Sequence, residues 1–222
     1  MNIRTPLPWL AAASGALCIA AALALTPAVP AWLSFIFKPL TTLLVIAFAW
    51  PRGLDAPKQR RLVLLGLLLS LAGDVFLLWP KEGFLLGLVS FLLAHLAYIA
   101  AFCVPVRLAA KPITFVVYAL VAALLLSQLW AGVPAALRLP VLAYVACLAT
   151  MAAQAATWWR SAPSDLRARW AAAGGLLFMA SDTLLAFNKF ASPVPLSALW
   201  ILLTYWLAQW CIASTLKPSL SA

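Results

Sequence analysis

Residues 61–79, RLVLLGLLLSLAGDVFLLW, decide the fold of this chain. Between Arg61 and Trp79 this stretch is apolar except for Ser70 and Asp74. Its length is close to the about 20 residues with which an α-helix crosses about 30 Å of hydrocarbon. The pattern therefore predicts a transmembrane helix that carries a carboxyl group inside the membrane.

Similar apolar runs recur along the rest of the chain, separated by short segments rich in proline, glycine and charge. We predict eight spans, at residues 9–26, 31–50, 61–79, 84–103, 112–130, 137–158, 168–187 and 196–216. Because these spans leave no room for a further folded unit, residues 1–222 are expected to form a single domain. The predicted fold is an all-α, polytopic membrane helix bundle.

The composition supports a membrane environment and argues against a nucleic-acid partner. Of the 222 residues, 66% are hydrophobic and 9% are charged, whereas a soluble domain is about half apolar and about a quarter charged. A net charge of +10 would suit nucleic acid, but the basic residues lie between apolar runs instead of on a polar face. We therefore predict contact with membrane lipids and no binding of nucleic acid.

Lysine and arginine in alternate connections predict the orientation, because cytoplasmic loops are enriched in these residues. One side has Arg4, Arg52, Lys58, Arg60, Arg61, Arg107, Lys111, Arg160, Arg167, Arg169 and Lys217, and the other has Lys81, Arg138 and Lys189. Both termini are therefore expected in the cytoplasm, and the protein in a bacterial inner membrane. An alternative interpretation takes the first run, which ends in TPAVPA at residues 26–31, as a cleavable signal peptide.

The ionisable residues inside the predicted spans are the candidate functional residues, because a charge near the bilayer centre costs at least about 2.5 kcal/mol. Asp74 and Asp182 are each predicted about five residues from the outer end of a helix. Other polar residues predicted at comparable depth are Lys38, His95, Tyr144 and Tyr205. Tyr98 shares a helix face with His95, and Gln209 shares one with Tyr205. We predict that these side chains line one cavity that opens outward.

Each of these residues also has a purely structural interpretation. Either aspartate is able to pair with Lys38 as an ion pair between helices. His95 suits a hydrogen-bonded packing role, while the tyrosines and Gln209 suit hydrogen bonds between helices. The sequence leaves the functional and the structural interpretations open.

Five fragments carry a resemblance to a known family: KPLTT at Lys38, GDVFLL at Asp74, FLLGLVSFLLAHLAY at His95 and Tyr98, GGLLFMASDTLLAF at Asp182, and TYWLAQW at Tyr205 and Gln209. In this order and placement they resemble the YhhN family of membrane lysoplasmalogenases over nearly the whole chain. The resemblance implies eight helices, a lysophospholipid substrate, and cleavage of the vinyl ether bond of lysoplasmalogens into a fatty aldehyde and a glycerophospho-base.

Two buried carboxyl groups suit this reaction, which begins with protonation of the vinyl β-carbon and continues through an oxocarbenium ion to attack by water. A buried, neutral carboxylic acid is a suitable proton donor, and a second carboxylate is suited to stabilise the cation and to deprotonate water. We predict that Asp74 and Asp182 are catalytic, and either one fits either role. Lys38 and Tyr205 would then bind the phosphate or the glycerol hydroxyl, and His95 would orient a carboxylate or relay protons.

Other catalytic classes fit the sequence less well. A catalytic zinc site needs three protein ligands and a water, and the chain has one histidine, so we predict no metal and no other cofactor. A serine hydrolase is poorly supported because the chain has no G-x-S-x-G motif. The alternative function is a proton-coupled small transporter or a lipid-handling membrane protein, in which the buried acids carry protons.

Overall fold

The structure is a computed structural model that describes residues 6–23, 30–79 and 81–218. These residues form α1 (Leu7–Ala22), α2 (Ser34–Ala49), α3 (Pro57–Phe76), α4 (Phe84–Phe102), α5 (Pro112–Leu129), α6 (Arg138–Ser161), α7 (Leu166–Phe190) and α8 (Ser197–Ala213). Short 3₁₀ segments precede α2 and separate α5 from α6, and the described ranges contain no strand. The prediction of an all-α bundle is confirmed. Arg4 and residues 26–29 of the TPAVPA stretch lie outside the described residues.

Four segments are long and apolar enough to cross a membrane by length and composition: Phe84–Phe102, Pro112–Gly132, Ala135–Ser161 and Leu166–Phe190. The apolar helices α1, α2 and α8 are shorter, with 16, 16 and 17 residues. The helix α3 has 20 residues but begins in a basic segment. The chain is an integral membrane protein, and the number of eight crossings stays a prediction.

The bounds of α3 and α7 differ from the predicted spans that contain the aspartates. The helix α3 begins at Pro57 because proline is compatible with the first turn of a helix, so Lys58, Arg60 and Arg61 are helical. The helix α7 continues to Phe190, since the next proline is Pro193. Because α3 ends at Phe76, before its predicted end at residue 79, Asp74 lies in the last turn of α3, whereas Asp182 lies about two turns before the end of α7. The predicted distance of about five residues for each aspartate therefore differs from the structure.

The helices pack as a closed bundle with α5 on its outside. Successive neighbours around the bundle are α3, α4, α6, α7 and α8, and α8 also packs against α2 and α1. The helix α5 packs mainly against α6. This arrangement brings α4, α6 and α7 together around a common space that α5 covers from one side.

One end of the bundle carries most of the basic residues, in its loops and in the adjoining turns of the helices. There Arg52 Nε donates to the Leu216 carbonyl at 3.0 Å, and Arg160 Nη1 donates to Thr114 Oγ1 at 2.9 Å. We call this the basic end. At the opposite end the rings of Phe84 and Phe190 are 6.0 Å apart. The grouping agrees with the predicted sidedness, and the cytoplasmic location of the basic end stays a prediction.

Gly66 allows a close approach of α3 to α4. A Cβ atom at this position would overlap the ring of Tyr98, which is fully buried and donates a hydrogen bond to Gln209 Oε1 at 2.8 Å. We expect Gly66→Ala to lower the free energy of unfolding by about 1–3 kcal/mol, because the ring has no free space to enter. Denaturant titration of the purified protein in detergent measures the loss.

The matched control for Gly66→Ala is Gly15→Ala. A Cβ atom at Gly15 would lie 3.2 Å from the edge of the Trp206 ring, so a small shift of that ring accommodates it. Equal losses for the two variants would contradict the assignment of Gly66 to the close approach.

Candidate functional site

Asp74 is the centre of a buried polar cluster formed by α2, α3 and α8. Thr42 Oγ1 and Tyr205 Oη both donate to Asp74 Oδ2, at 2.6 and 2.8 Å. Lys38 Nζ is 3.8 Å from Asp74 Oδ1, and the two side chains are 15% and 2% exposed. Trp206 Nε1 donates to Thr42 Oγ1 at 3.3 Å and supports the cluster from α8. Two hydroxyl donors and an ammonium group are partners that stabilise a carboxylate. We call Asp74, Lys38, Thr42 and Tyr205 the Asp74 cluster.

Asp182 belongs to a different part of the bundle, where α6 faces α7. Its Oδ2 accepts a hydrogen bond of 2.5 Å from Tyr144 Oη. No ion pair to Asp182 occurs among the residues that the structure describes. The immediate surroundings of Asp182 are thus much less polar than those of Asp74.

Asp182 and Tyr144 line a cavity between α4, α5, α6 and α7. Its enclosed volume is about 80 Å³, which is smaller than the about 300–1,000 Å³ of small-molecule sites, and the cavity is open on one side. Most of the wall is apolar, and the side chains with polar groups are Tyr144, Asp182, Thr183 and Lys189. The cavity therefore offers an apolar surface next to a carboxyl group.

A continuous series of ring contacts joins the Asp74 cluster to Asp182. The rings are, in order, those of Tyr205, Phe178, His95 and Tyr144, with centroids 5.6, 4.6 and 5.2 Å apart. The two aspartates share no hydrogen-bond partner in the described part of the chain, and only Asp182 lines the cavity. The prediction that both carboxyl groups act on one substrate stays a prediction.

The remaining residues selected from the sequence lie close to these groups. His95 is fully buried beside Phe178, and within the described ranges neither of its ring nitrogens has a hydrogen-bond partner. Tyr98 joins Gln209 at the interface of α4 with α8. Tyr98 and Gln209 do not line the cavity, and their hydrogen bond matches the structural interpretation of these two residues.

Two residues of the site are not among the candidate functional residues named above. Thr42 lies one turn after Lys38 on α2, and the helical spacing in the sequence already predicts that these two side chains share a face. Lys189 lies two turns after Asp182 on α7 and lines the mouth of the cavity. The sequence predicts Lys189 in a loop, and only the longer α7 reveals that it shares a face with Asp182.

The described ranges contain no group of three or more His, Cys, Asp or Glu side chains placed to hold a metal ion. The polar groups of the cavity are instead a carboxyl group, two hydroxyl groups and an ammonium group. This set suits proton transfer and the binding of an anion.

The fold is that of an integral membrane protein. Its candidate site combines an apolar cavity with the carboxyl group of Asp182, and this combination suits an amphiphile. A sequence model of the YhhN family matches residues 33–216, and the chain belongs to this family. The family resemblance predicted from the five fragments is confirmed.

Named relatives agree with the family assignment. The chain is 33% identical over 207 residues to lysoplasmalogenase TMEM86A of Homo sapiens, which covers 89% of this chain and 84% of that protein. It is 35% identical over 192 residues to lysoplasmalogenase TMEM86B of Sus scrofa, covering 86% and 78%. Membrane protein YhhN of Escherichia coli O157:H7 is 33% identical over 137 residues, or 61% and 64% of the two chains. No solved structure matches the chain.

Proposed function

We propose that the protein is a lysoplasmalogenase-like hydrolase that cleaves the vinyl ether bond of alkenyl lysophospholipids. The products are a fatty aldehyde and a glycerophospho-base. The observation that carries the proposal is the position of Asp182 in the wall of a cavity whose other lining residues are mostly apolar. The names of the relatives that cover most of the chain support the same reaction.

In the first step the Asp182 carboxylic acid donates its proton to the β-carbon of the vinyl ether. The carbon–carbon double bond supplies the electron pair, and an oxocarbenium ion forms at the carbon that carries the ether oxygen. The Asp182 carboxylate that remains is the counter-ion, and the hydroxyl group of Tyr144 stabilises it by donating a hydrogen bond. Asp182 is the catalytic acid because it is the carboxyl group that lines the cavity.

In the second step water attacks the oxocarbenium carbon and gives its proton to the Asp182 carboxylate. This transfer produces a hemiacetal and restores the neutral acid, so one carboxyl group serves as acid and then as base. The hemiacetal collapses by cleavage of the bond to the glycerol oxygen, which takes up the hemiacetal hydroxyl proton. The overall change is addition of one water, with release of aldehyde and alcohol.

Asp74 has a different role in this proposal. Its charge is paired with Lys38, and it holds the Tyr205 hydroxyl by a hydrogen bond. The Tyr205 ring contacts Phe91, which is part of the cavity wall, with 5.7 Å between the ring centroids. Asp74 is therefore a positioning residue, which holds the cavity wall in place through Tyr205 and Phe91. Asp182 is the carboxyl group that contacts the substrate.

The proposal includes the arrangement in the membrane. The chain forms one domain of eight crossings in a bacterial inner membrane, with the basic end and both termini in the cytoplasm. The cavity then opens toward the outer leaflet, at the depth where the vinyl ether of an amphiphile lies just below the headgroups.

The test compares two lysophospholipids that share chain length and headgroup and differ in a 1-alkenyl or a 1-acyl link. Purified protein in detergent is expected to release aldehyde from the alkenyl compound and no fatty acid from the acyl compound, because an ester has no vinyl carbon to protonate. Absence of aldehyde from the wild-type protein would contradict the proposal. Movement of the intact lipid across a reconstituted membrane without cleavage would instead support the transporter alternative.

A further inference from the structure

Lys189 is a cationic side chain at the mouth of the cavity that the proposed reaction steps do not use. It is exposed, and its Nζ lies 4.0 Å from the centroid of the Phe84 ring. Other lysines near acidic groups are paired, as Lys38 is with Asp74 and Lys217 is with Asp55. Lys189 has no ion pair within the described ranges. Its ammonium group is therefore held over an aromatic ring and is free to meet an anion.

The positions of Lys189 and Asp182 on α7 are related by helix geometry. Seven residues separate them, which places both side chains on nearly the same face at a rise of about 10 Å. Side chains of an α-helix lean toward its N-terminus, so Lys189 leans toward Asp182. Both side chains line the same cavity. An anion bound by Lys189 would thus lie on the same face of α7 as Asp182, the proposed catalytic acid, and nearer to the mouth of the cavity.

A lysophospholipid presents its groups in the same order as the cavity does. The phosphate is joined through the glycerol unit to the vinyl ether, and the apolar chain continues beyond the ether. In the cavity Lys189 is at the mouth, Asp182 follows, and the wall deeper along α6 and α7 contains Leu148 and Met179. A free phosphate ion would use only the first of these three parts.

We propose that Lys189 binds the phosphate of the lysophospholipid and thereby places the vinyl ether beside Asp182. This inference rests on the proposed function and adds a residue that determines substrate specificity. It assigns to Lys189 the contact that the sequence analysis assigned to Lys38 and Tyr205, which lie in the Asp74 cluster and do not line the cavity.

The kinetic test uses a 1-alkenyl lysophospholipid and the 1-alkenyl glycerol of the same chain, which lacks the phosphate. Lys189→Met is expected to raise KM for the lysophospholipid about tenfold with little change in kcat, and to leave cleavage of the alkenyl glycerol unchanged. Lys189→Arg retains the charge and is expected to restore KM. The control is Lys81→Met, which removes the same charge at the same end of the bundle from a residue that does not line the cavity.

A binding measurement separates failure of this inference from failure of the proposed function. The saturated 1-alkyl lysophospholipid has no vinyl carbon, so its Kd is measurable without turnover. Lys189→Met is expected to raise this Kd about tenfold, and inorganic phosphate at the same concentration is expected not to compete. Aldehyde release with an unchanged Kd and KM in Lys189→Met would overturn the Lys189 assignment alone. A Lys189-dependent Kd without aldehyde release would support the phosphate site and refute the hydrolase.

Discussion

Asp182→Asn is expected to lower kcat for aldehyde release about a thousandfold, because an amide cannot donate the proton that starts the reaction. The substitution keeps the size of the side chain and an oxygen that accepts the hydrogen bond from Tyr144. Folding and binding of the saturated 1-alkyl lysophospholipid should therefore persist. Single-turnover measurement of aldehyde release, together with the Kd of the saturated analogue, separates the loss of chemistry from a loss of binding.

The matched control for this prediction is Asp55→Asn. Asp55 is an exposed acid at the basic end, where it pairs with Lys217 at 3.2 Å. Turnover of this variant should equal that of the wild-type protein, because Asp55 lies at the basic end and does not line the cavity. If Asp182→Asn retained turnover within about tenfold of the wild type, proton donation by Asp182 would be the wrong assignment.

Asp74→Ala is expected to lower the free energy of unfolding by about 3 kcal/mol. The substitution leaves the largely buried Lys38 ammonium without its partner, and it removes the acceptor of the Thr42 and Tyr205 hydroxyl groups. The double variant Lys38→Met/Asp74→Ala should recover part of the loss, because no unpaired charge remains. Denaturant titration in detergent measures all three proteins.

The control for the Asp74 prediction is an ion pair of the same chemistry at the surface. Asp55 and Lys217 are 41% and 55% exposed, so Asp55→Ala should change the free energy of unfolding by no more than about 0.5 kcal/mol. Equal effects of Asp74→Ala and Asp55→Ala would show that the Asp74 cluster contributes no more to stability than a surface pair.

The helices were predictable from the sequence because a chain in hydrocarbon must satisfy its backbone hydrogen bonds internally. Uninterrupted apolar runs therefore mark helices, and proline, glycine and charge mark their ends. The bounds of α4 agree with the prediction to within one residue. The start of α3 was missed because its basic first turn resembles a loop in composition.

The rotation of each helix was not predictable in the same way. Leucine and alanine occur all around these helices, so the pattern of hydrophobicity does not show which face points to which neighbour. On α4, His95 and Tyr98 are one turn apart, yet His95 contacts Phe178 of α7 while Tyr98 bonds to Gln209 of α8. The sequence therefore identified the polar side chains but not the helix that each of them contacts.

The two interpretations of the aspartates illustrate the same limit of sequence patterns. The sequence did not show which of the two aspartates pairs with Lys38, and in the structure the partner is Asp74. The choice depends on the packing of α2 against α3, which is a tertiary contact between residues far apart in sequence. Asp182 is left with one tyrosine as its hydrogen-bond partner in an apolar cavity.

The central claim is that an acid in the cavity protonates the β-carbon of the vinyl ether. Hydrolysis of the alkenyl lysophospholipid in D₂O, followed by mass spectrometry of the trapped aldehyde, tests it directly. Aldehyde formed by the wild-type protein is expected to carry one deuterium on the carbon next to the carbonyl group, and Asp182→Asn is expected to form almost none of this product. Aldehyde that contains no deuterium at that carbon would contradict protonation of the β-carbon.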